Sequence, residues 1–289
     1  DSIDYYQDGL TSAKRVFEVM DTGGDVPDAE NPVELPRLRG EIEFKDVSFS
    51  YSGTAEVLKD VSLKVEPGER VAIIGFVGSG KSALTELVPR FYDVSEGQVL
   101  IDGYDVRRAS LKSLRSQVGI VLQDIYIFSA TIRENITFGK PEASKNDVTR
   151  VAQAAQIHEY IVGLPKGYET IVGERGLTLS GGQRQRVAIA RVLLTDPKIL
   201  ILDDSTLNVE AETEALIRKA IDALLEGRTS LIITQRASTC ESADKVVVVD
   251  AGRITAVGRH ADLLRSSESY RMLIESQALA MNRGAEDDG

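Results

Sequence analysis

Residues 75–82 read Gly-Phe-Val-Gly-Ser-Gly-Lys-Ser and fit the pattern G-x-x-x-x-G-K-[ST]. The run follows a short apolar strand pattern, Arg70–Ile74, and precedes a helical pattern with apolar residues at Leu84, Leu87 and Val88. Glycines in such a loop let backbone N–H groups converge on phosphate oxygens, and the start of a helix adds partial positive charge. A strand, a glycine-rich loop and a helix in this order therefore predict a site for nucleotide phosphates.

The polar side chains of this Walker A loop predict how ATP and Mg²⁺ are held. Lys81 is expected to reach the β and γ phosphates, and Ser82 to ligate Mg²⁺. A second run, Ile199–Leu202, is entirely apolar and is followed by Asp203, where proteins with this loop carry a carboxylate that holds the metal directly or through water. The loop residues predicted to contact the nucleotide are Gly75, Gly78, Ser79, Gly80, Lys81 and Ser82.

The composition argues against several other classes of protein. The chain has 289 residues, of which 42% are hydrophobic and 27% charged, as in globular proteins. The formal net charge of −11 opposes general binding to nucleic acid. Cys240 is the only cysteine, so neither an internal disulfide nor a cysteine-built zinc site is expected. No apolar run approaches the roughly 20 residues of a membrane-spanning helix.

The order of apolar patterns predicts an α/β fold in three parts. Residues 1–40 are predicted to be an amphipathic helix and a Gly-, Asp- and Pro-rich tether that lead from a transmembrane domain outside this chain; a helix folded back on the domain is the alternative. Residues 41–275 are predicted to form a P-loop (RecA-like) core with a mixed sheet, an antiparallel β subdomain near 41–70 and a helical insertion subdomain near 105–165. Residues 276–289 are predicted to be an acidic tail.

A third motif resembles the characteristic sequence of one protein family. The run Leu179-Ser180-Gly181-Gly182-Gln183 places Ser-Gly-Gly at the start of a helical pattern, where backbone donors and the helix dipole favour an anion. It resembles the signature motif of the ATP-binding domains of ABC transporters, and the resemblance covers about residues 41–275.

The resemblance implies further site residues. Tyr51 matches the aromatic residue that stacks on adenine, and Gln123 matches the glutamine that senses metal and nucleotide, which makes it a predicted Mg²⁺ ligand and catalytic residue. ABC domains pair head to tail, so that each nucleotide lies between the Walker A loop of one domain and the signature of the other. The signature residues implied to contact the partner's nucleotide are Ser180, Gly181, Gly182 and Gln183.

Two stretches resemble exporters rather than importers. Residues 131–136, Thr-Ile-Arg-Glu-Asn-Ile, follow the glutamine loop, and residues 172–176, Val-Gly-Glu-Arg-Gly, precede the signature. In exporters these regions meet the membrane domain. The resemblance therefore implies a domain at the cytoplasmic face of a membrane, with the transmembrane domains of an exporter and a second ABC domain as its partners and no nucleic-acid partner.

The chain departs from the family in its hydrolytic residues. Asp204 stands where the family has a glutamate that polarises water, and a displacement of about 1 Å can cost about 100-fold in rate. Gln235 stands where the family has a histidine, and glutamine cannot shuttle a proton. The segment 207–210, Leu-Asn-Val-Glu, replaces the usual Ser-Ala-Leu-Asp. We expect weak hydrolysis at this chain's own site and an intact signature that completes the site of a different partner, as in heterodimeric exporters.

Four alternatives remain open at this point. The replacements at Asp204 and Gln235 could have been engineered to trap ATP, or Asp204 could be a serviceable base in a slow homodimeric exporter ATPase. A soluble ABC ATPase without a transporter is opposed by the acidic composition and the exporter-like stretches. A purely regulatory ATP-binding module predicts that no partner gains hydrolysis from this chain's signature.

Overall fold

The structure is a computed structural model that describes residues 13–15, 17, 26–51, 55–122, 125–173, 176–203 and 211–276, with only the backbone of residues 211–214 described. The strands are β1 (Ile42–Phe49), β2 (Leu58–Val65), β3 (Arg70–Ile74), β4 (Glu96–Ile101), β5 (Tyr104–Asp105), β6 (Val118–Val121), β7 (Ala130–Thr131), β8 (Ile171–Val172), β9 (Ile199–Asp203), β10 (Thr229–Ile233), β11 (Lys245–Asp250) and β12 (Arg253–Gly258). The helices are α1 (Lys81–Glu86), α2 (Leu111–Arg115), α3 (Ile132–Thr137), α4 (Lys145–Ala154), α5 (His158–Val162), α6 (Gly181–Thr195), α7 (Ala211–Leu225), α8 (Ala237–Ser242) and α9 (His260–Ser266). Short 3-10 turns cover Val106–Arg108 and Gly167–Glu169, and residues 268–276 are helical.

The large sheet places the ends of its strands along one edge. Its order is β12-β11-β3-β10-β9-β6, in which β11, β3, β10, β9 and β6 run parallel and β12 is antiparallel. Ile233 of β10 pairs with Ile73 of β3 on one side and with Asp203 of β9 on the other. Because parallel strands end at the same edge, the Walker A loop, Asp203 and the residues after β10 share that edge. The predicted α/β fold with a mixed sheet is confirmed.

Alternating residues of the buried strands supply separate cores on the two faces of this sheet. In β9, Ile199 and Ile201 pack into a core shared with the antiparallel sheet, whereas Leu200 and Leu202 pack into a second core with the helices on the opposite face. Successive side chains of a strand point to opposite faces, so a strand covered on both sides must be apolar throughout. This requirement explains the uninterrupted apolar runs of the sequence.

The antiparallel subdomain is larger than the predicted region near 41–70. Its order is β2-β1-β4-β5, and Ile42 of β1 pairs with Val65 of β2 and with Ile101 of β4. The strands β4 and β5 return to this sheet after α1, from a part of the chain that sequence periodicity did not join to it. Arg70–Ile74 belongs to the large sheet instead.

The predicted helical stretch of about 105–165 contains a strand of the core. The four residues Val118–Val121 form β6, which pairs with β9 at the edge of the large sheet, so this part of the prediction is wrong. A Cβ atom on Gly119 would lie 2.6 Å from Val192 Cγ1 of α6, which shows how closely the helix covers the strand. The helices α3 and α4 follow this strand and pack against α6, and α5 packs on α4.

The predicted tether runs along the domain. Of residues 1–25, only 13–15 and 17 are described, and they are helical; the rest of the predicted amphipathic helix and the tail from residue 277 onward lie outside the described residues. Val33 N donates to Arg108 O at 2.8 Å, and Leu38 N donates to Gln117 Oε1 at 2.8 Å. Among the described residues, no helix has the length and apolar character needed to cross a membrane.

Candidate nucleotide site

The Walker A loop adopts a shape that glycine permits. Gly78 and Gly80 have φ angles of 79° and 104°, in the region that side chains with a Cβ rarely adopt. A Cβ on Gly75 would lie 2.1 Å from the carbonyl oxygen of Val249, so the loop packs directly on the end of β11. Gly80 precedes α1, and within the described part of the chain no side chain caps that helix start. The first turn of α1 thus keeps backbone donors for a phosphate.

Lys81 lies across the loop that precedes it. Its Nζ donates to the carbonyl oxygens of Gly75 and Phe76, each at 2.8 Å. Burial lowers the pKa of Lys81, and the carboxylate of Asp203 partly opposes that shift. The ammonium is therefore held at the loop and interacts with the charge of Asp203, the residue predicted to bind the metal.

Two of the three predicted metal ligands line one cleft. Ser82 at the start of α1 and Asp203 at the end of β9 both line a cleft of about 300 Å³. The Ser82 residue is exposed and Asp203 is half-buried. A hydroxyl and a carboxylate are the hard oxygen donors that Mg²⁺ prefers, so the residues present fit the ion. Gln123, the third predicted ligand, lies outside the described residues.

The predicted base-binding residue is attached to α1. Tyr51 Oη donates to Glu86 Oε2 at 2.8 Å, and the Tyr51 ring makes edge contacts with Phe49 and Tyr92. Sequence patterns could not predict the bond to Glu86, because no spacing rule relates residue 51 to residue 86. Tyr51 lies two residues after β1 and packs, partly buried, against the core shared by both sheets.

The signature forms an ordered and accessible helix start. Ser180 caps α6: its Oγ accepts from Gln183 N at 3.3 Å, and Gln183 Oε1 accepts from Ser180 N at 2.8 Å. Ser180 and Gly181 are exposed, whereas Gly182 is buried. Of the described residues, none from the signature lines the cleft that contains Ser82 and Asp203. In the part of the chain that the structure describes, the signature and the Walker side therefore do not share that cleft.

The predicted catalytic positions are only partly described. Gln235 is exposed and follows β10, at the sheet edge that also carries Asp203. Asp204, segment 207–210 and residues 174–175 lie outside the described residues, as does Gln123. The roles assigned to these positions stay predictions.

An aromatic surface between the two exporter-like stretches escaped the sequence analysis. The rings of Phe128 and Phe138 stack at 4.4 Å, and Arg191 Cζ of α6 lies 5.5 Å from the Phe128 ring centre. Tyr126 and Phe138 remain 69% and 59% exposed, which is unusual for large aromatic side chains. The strands β7 and β8 pair with each other and so join the two exporter-like stretches. The dense aromatic composition of residues 126–138 was the available signal.

Comparison with known proteins agrees with this geometry. Residues 58–207 match the family model described as ABC transporter. The chain is 48% identical over 93% of its length to YgaD of Bacillus subtilis, named as a multidrug export ATP-binding/permease protein, and covers 47% of that relative. It is 45% identical over 92% of its length to the ATP-dependent lipid A-core flippase of Syntrophus aciditrophicus and covers 44% of it. The chain thus spans about half the length of the curated relatives it matches.

A solved structure gives the same result. A bacterial Atm1-family ABC exporter with ATP bound superposes with a TM-score of 0.85 and 42% identity, over 94% of this chain and 48% of that one. The match includes the P-loop core, the antiparallel subdomain and the helical part described above. The chain therefore belongs to the ABC transporter family and carries an ATPase domain of the ABC type.

Proposed function

We propose that this chain is the ATP-driven motor domain of an ABC exporter, whose own site hydrolyses ATP slowly and whose signature completes the active site of a different partner. The observation that carries the proposal is the separation of the two half-sites. Lys81, Ser82 and Asp203 lie together, while Ser180 and Gly181 are exposed outside their cleft. A second domain must then supply a signature to this site and receive one from this chain.

The chain's own residues divide the work of binding. The Walker A amides and Lys81 hold the phosphates, and Tyr51 offers a ring for the base. Ser82 and Asp203 would hold Mg²⁺, with Gln123 as the further proposed ligand; the ion supplies charge neutralisation of the phosphates. Closure of two domains around ATP, followed by reopening after hydrolysis, is the proposed source of work on the transmembrane domains.

Weak hydrolysis follows from the two replaced groups. A shorter carboxylate at Asp204 places its oxygens away from the water that they should polarise, and Gln235 offers a hydrogen bond but no proton transfer. Losing one acid–base group costs about 10²–10⁴-fold in rate. Binding needs neither group, so the site should retain Mg-ATP as a slow clamp.

Export is the transport direction that the relatives support. The relatives carry the names of a multidrug export ATP-binding/permease protein and a lipid A-core flippase, and the superposed structure is described as an exporter. We propose the same direction here, at the cytoplasmic face of a membrane, with a hydrophobic or amphipathic substrate selected by transmembrane domains. The tether of residues 26–40 would connect the motor to them.

Two versions of the same chain test whether an active site is built from the Walker side of one domain and the signature of another, here called the composite site. The first is the wild type, with the weak Walker side and an intact signature. The second carries Asp204→Glu and Gln235→His, to restore the Walker side, and Ser180→Arg, to break the signature. Only a mixed pair contains one complete site, so ATP turnover of the mixture should exceed the sum of the separate turnovers by at least about tenfold. Sedimentation in Mg-ATP checks that pairs form.

A matched control isolates the signature. Ser144 is also an exposed serine that caps a helix, accepting from Asp147 N at 3.1 Å. The second version with Ser144→Arg in place of Ser180→Arg should turn over ATP without any mixing. A mixture no faster than its parts, despite pair formation, would reject the composite site. Wild-type turnover that mixing does not raise and that Asp204→Asn abolishes would favour the slow homodimeric exporter instead.

A further inference from the structure

The Tyr51 side chain, which is predicted to face the base, is hydrogen-bonded to α1, the helix that is predicted to hold the phosphates. Tyr51 Oη donates to Glu86 Oε2 at 2.8 Å. Glu86 is the last residue of α1, which begins with Lys81 and Ser82. The six-residue helix α1 therefore connects the group predicted to face the base to the groups predicted to hold the phosphates and the metal. Tyr51 and Glu86 are both only partly buried.

Two aromatic neighbours contact the Tyr51 ring, and the hydroxyl bond to Glu86 adds a directional constraint on its position. The ring of Phe49 lies 4.9 Å away at 78°, and that of Tyr92 lies 5.0 Å away at 89°. Aromatic pairs of this kind contribute only about 0.5–1.5 kcal/mol each beyond their buried area. Phe49 is buried, but Tyr92 is 36% exposed and offers a less rigid support. A directional bond at the far end of the Tyr51 ring restricts the motion that remains.

In the hydrogen bond between Tyr51 and Glu86, the phenol is always the donor and the carboxylate always the acceptor. Burial raises the pKa of the Tyr51 phenol well above its ordinary value, and the bond and charge of Glu86 raise it further. The phenol therefore stays a neutral donor throughout the physiological range. A carboxylate has only acceptor sites to offer it. The direction of the bond is thus fixed.

We propose that Glu86 is a positioning residue for nucleotide recognition, which holds the Tyr51 ring in the orientation that receives the base. The inference rests on the proposed binding of ATP and deepens it. It assigns about fivefold of the affinity for ATP to a carboxylate outside the motifs identified in the sequence. Glu86 acts through Tyr51 and is not itself a catalytic residue.

The test measures the affinity of each variant for Mg-ATP, which has a base, and for Mg-tripolyphosphate, which has none. A residue that positions the Tyr51 ring should affect only the first affinity, whereas a residue that merely stabilises α1 should affect both. Glu86→Ala and Tyr51→Phe should each weaken Mg-ATP binding about fivefold, the effect of one partly exposed charged hydrogen bond. The double variant should be no weaker than either single variant, because both remove the same bond. Glu86→Gln retains an acceptor and should stay within about twofold of the wild type. Binding of tripolyphosphate, which has no base, should not change in any of them.

A control and three outcomes decide the proposal. Tyr92→Phe removes a hydroxyl from the neighbouring ring and should leave both affinities unchanged, and thermal unfolding verifies that each variant folds. Equal losses for ATP and tripolyphosphate in Glu86→Ala would show a structural role only and overturn the proposal. Additive losses in the double variant, or no loss at all, would also overturn it. Failure of the wild type to bind Mg-ATP would instead reject the proposed function.

Discussion

Substituting Gly75 by alanine should damage both the fold and the nucleotide site, and the structure gives the size of the effect. The added Cβ would lie 2.1 Å from the carbonyl oxygen of Val249 and 2.7 Å from Ser79 Oγ, whereas ordinary contact begins at 3.4 Å. Relief requires a movement of about 1.3 Å between the loop and β11. The strand β11 is paired on both sides, with β3 and β12, so it cannot yield easily. We expect a loss of about 2–4 kcal/mol in the free energy of unfolding.

Denaturant unfolding and Mg-ATP titration measure the two consequences. A displaced loop misaligns its backbone amides, so the affinity of Gly75→Ala for Mg-ATP should fall by at least about tenfold. Two matched glycines serve as controls, because an added Cβ on either meets nothing within 4 Å. Gly181→Ala should change stability by less than about 0.5 kcal/mol, and Gly78→Ala, with its φ of 79°, should lose about 1 kcal/mol. A Gly75→Ala protein as stable as Gly181→Ala would refute the reasoning.

Two further predictions concern polar contacts away from the nucleotide. Burial alone would raise the pKa of Asp196, but hydrogen bonds from Arg37 and Arg228 outweigh it and lower that pKa. The stabilisation from Asp196 is therefore present above about pH 4 and is lost as the pH falls through the lowered pKa, so unfolding free energy should fall less steeply with acid in Asp196→Asn. Tyr270 is fully buried and its Oη lies 2.7 Å from His260 Nδ1, so Tyr270→Phe should cost about 1–3 kcal/mol in denaturant unfolding.

Each of these two variants, Asp196→Asn and Tyr270→Phe, has a matched control variant at a more exposed position. Asp262→Asn removes an ion pair with Arg265 whose side chains are 61% and 78% exposed, and should leave the acid dependence nearly unchanged. Tyr168→Phe removes a similar contact, 2.9 Å from His158 Nδ1, in a less buried place, and should cost less than Tyr270→Phe. Equal acid slopes for wild type and Asp196→Asn, or equal costs for the two tyrosines, would contradict these accounts.

Sequence patterns predicted the features that local rules determine. The strand β3, the loop with Lys81 and the strand β9 ending at Asp203 were predicted because apolar runs and glycine spacing are local signals. The start of α6 at the Ser-Gly-Gly run was equally local, since the cap there joins Ser180 and Gln183, three positions apart. The head-to-tail arrangement and the weak site come from family resemblance and remain proposals.

Long-range pairing accounts for what sequence patterns missed. The strand β6 has only four residues within a stretch that looked helical, and its place beside β9 is set by contacts across the sheet. The strand β4 joins β1 although α1 intervenes, which periodicity cannot reveal. The bond between Tyr51 and Glu86 joins residues 35 positions apart, as the meeting of two subdomains requires. Such contacts need the packed structure.

The central claim is that the loop of residues 75–82 binds the triphosphate of ATP. The most direct measurement is a calorimetric titration of the whole chain with Mg-ATP, beside Lys81→Ala at the same ionic strength. We predict saturable binding to one site in the wild type and an affinity about 10–100-fold weaker in the variant, because charged hydrogen bonds to phosphate are lost. Equal affinities for the two proteins, or no binding to the wild type, would contradict the account.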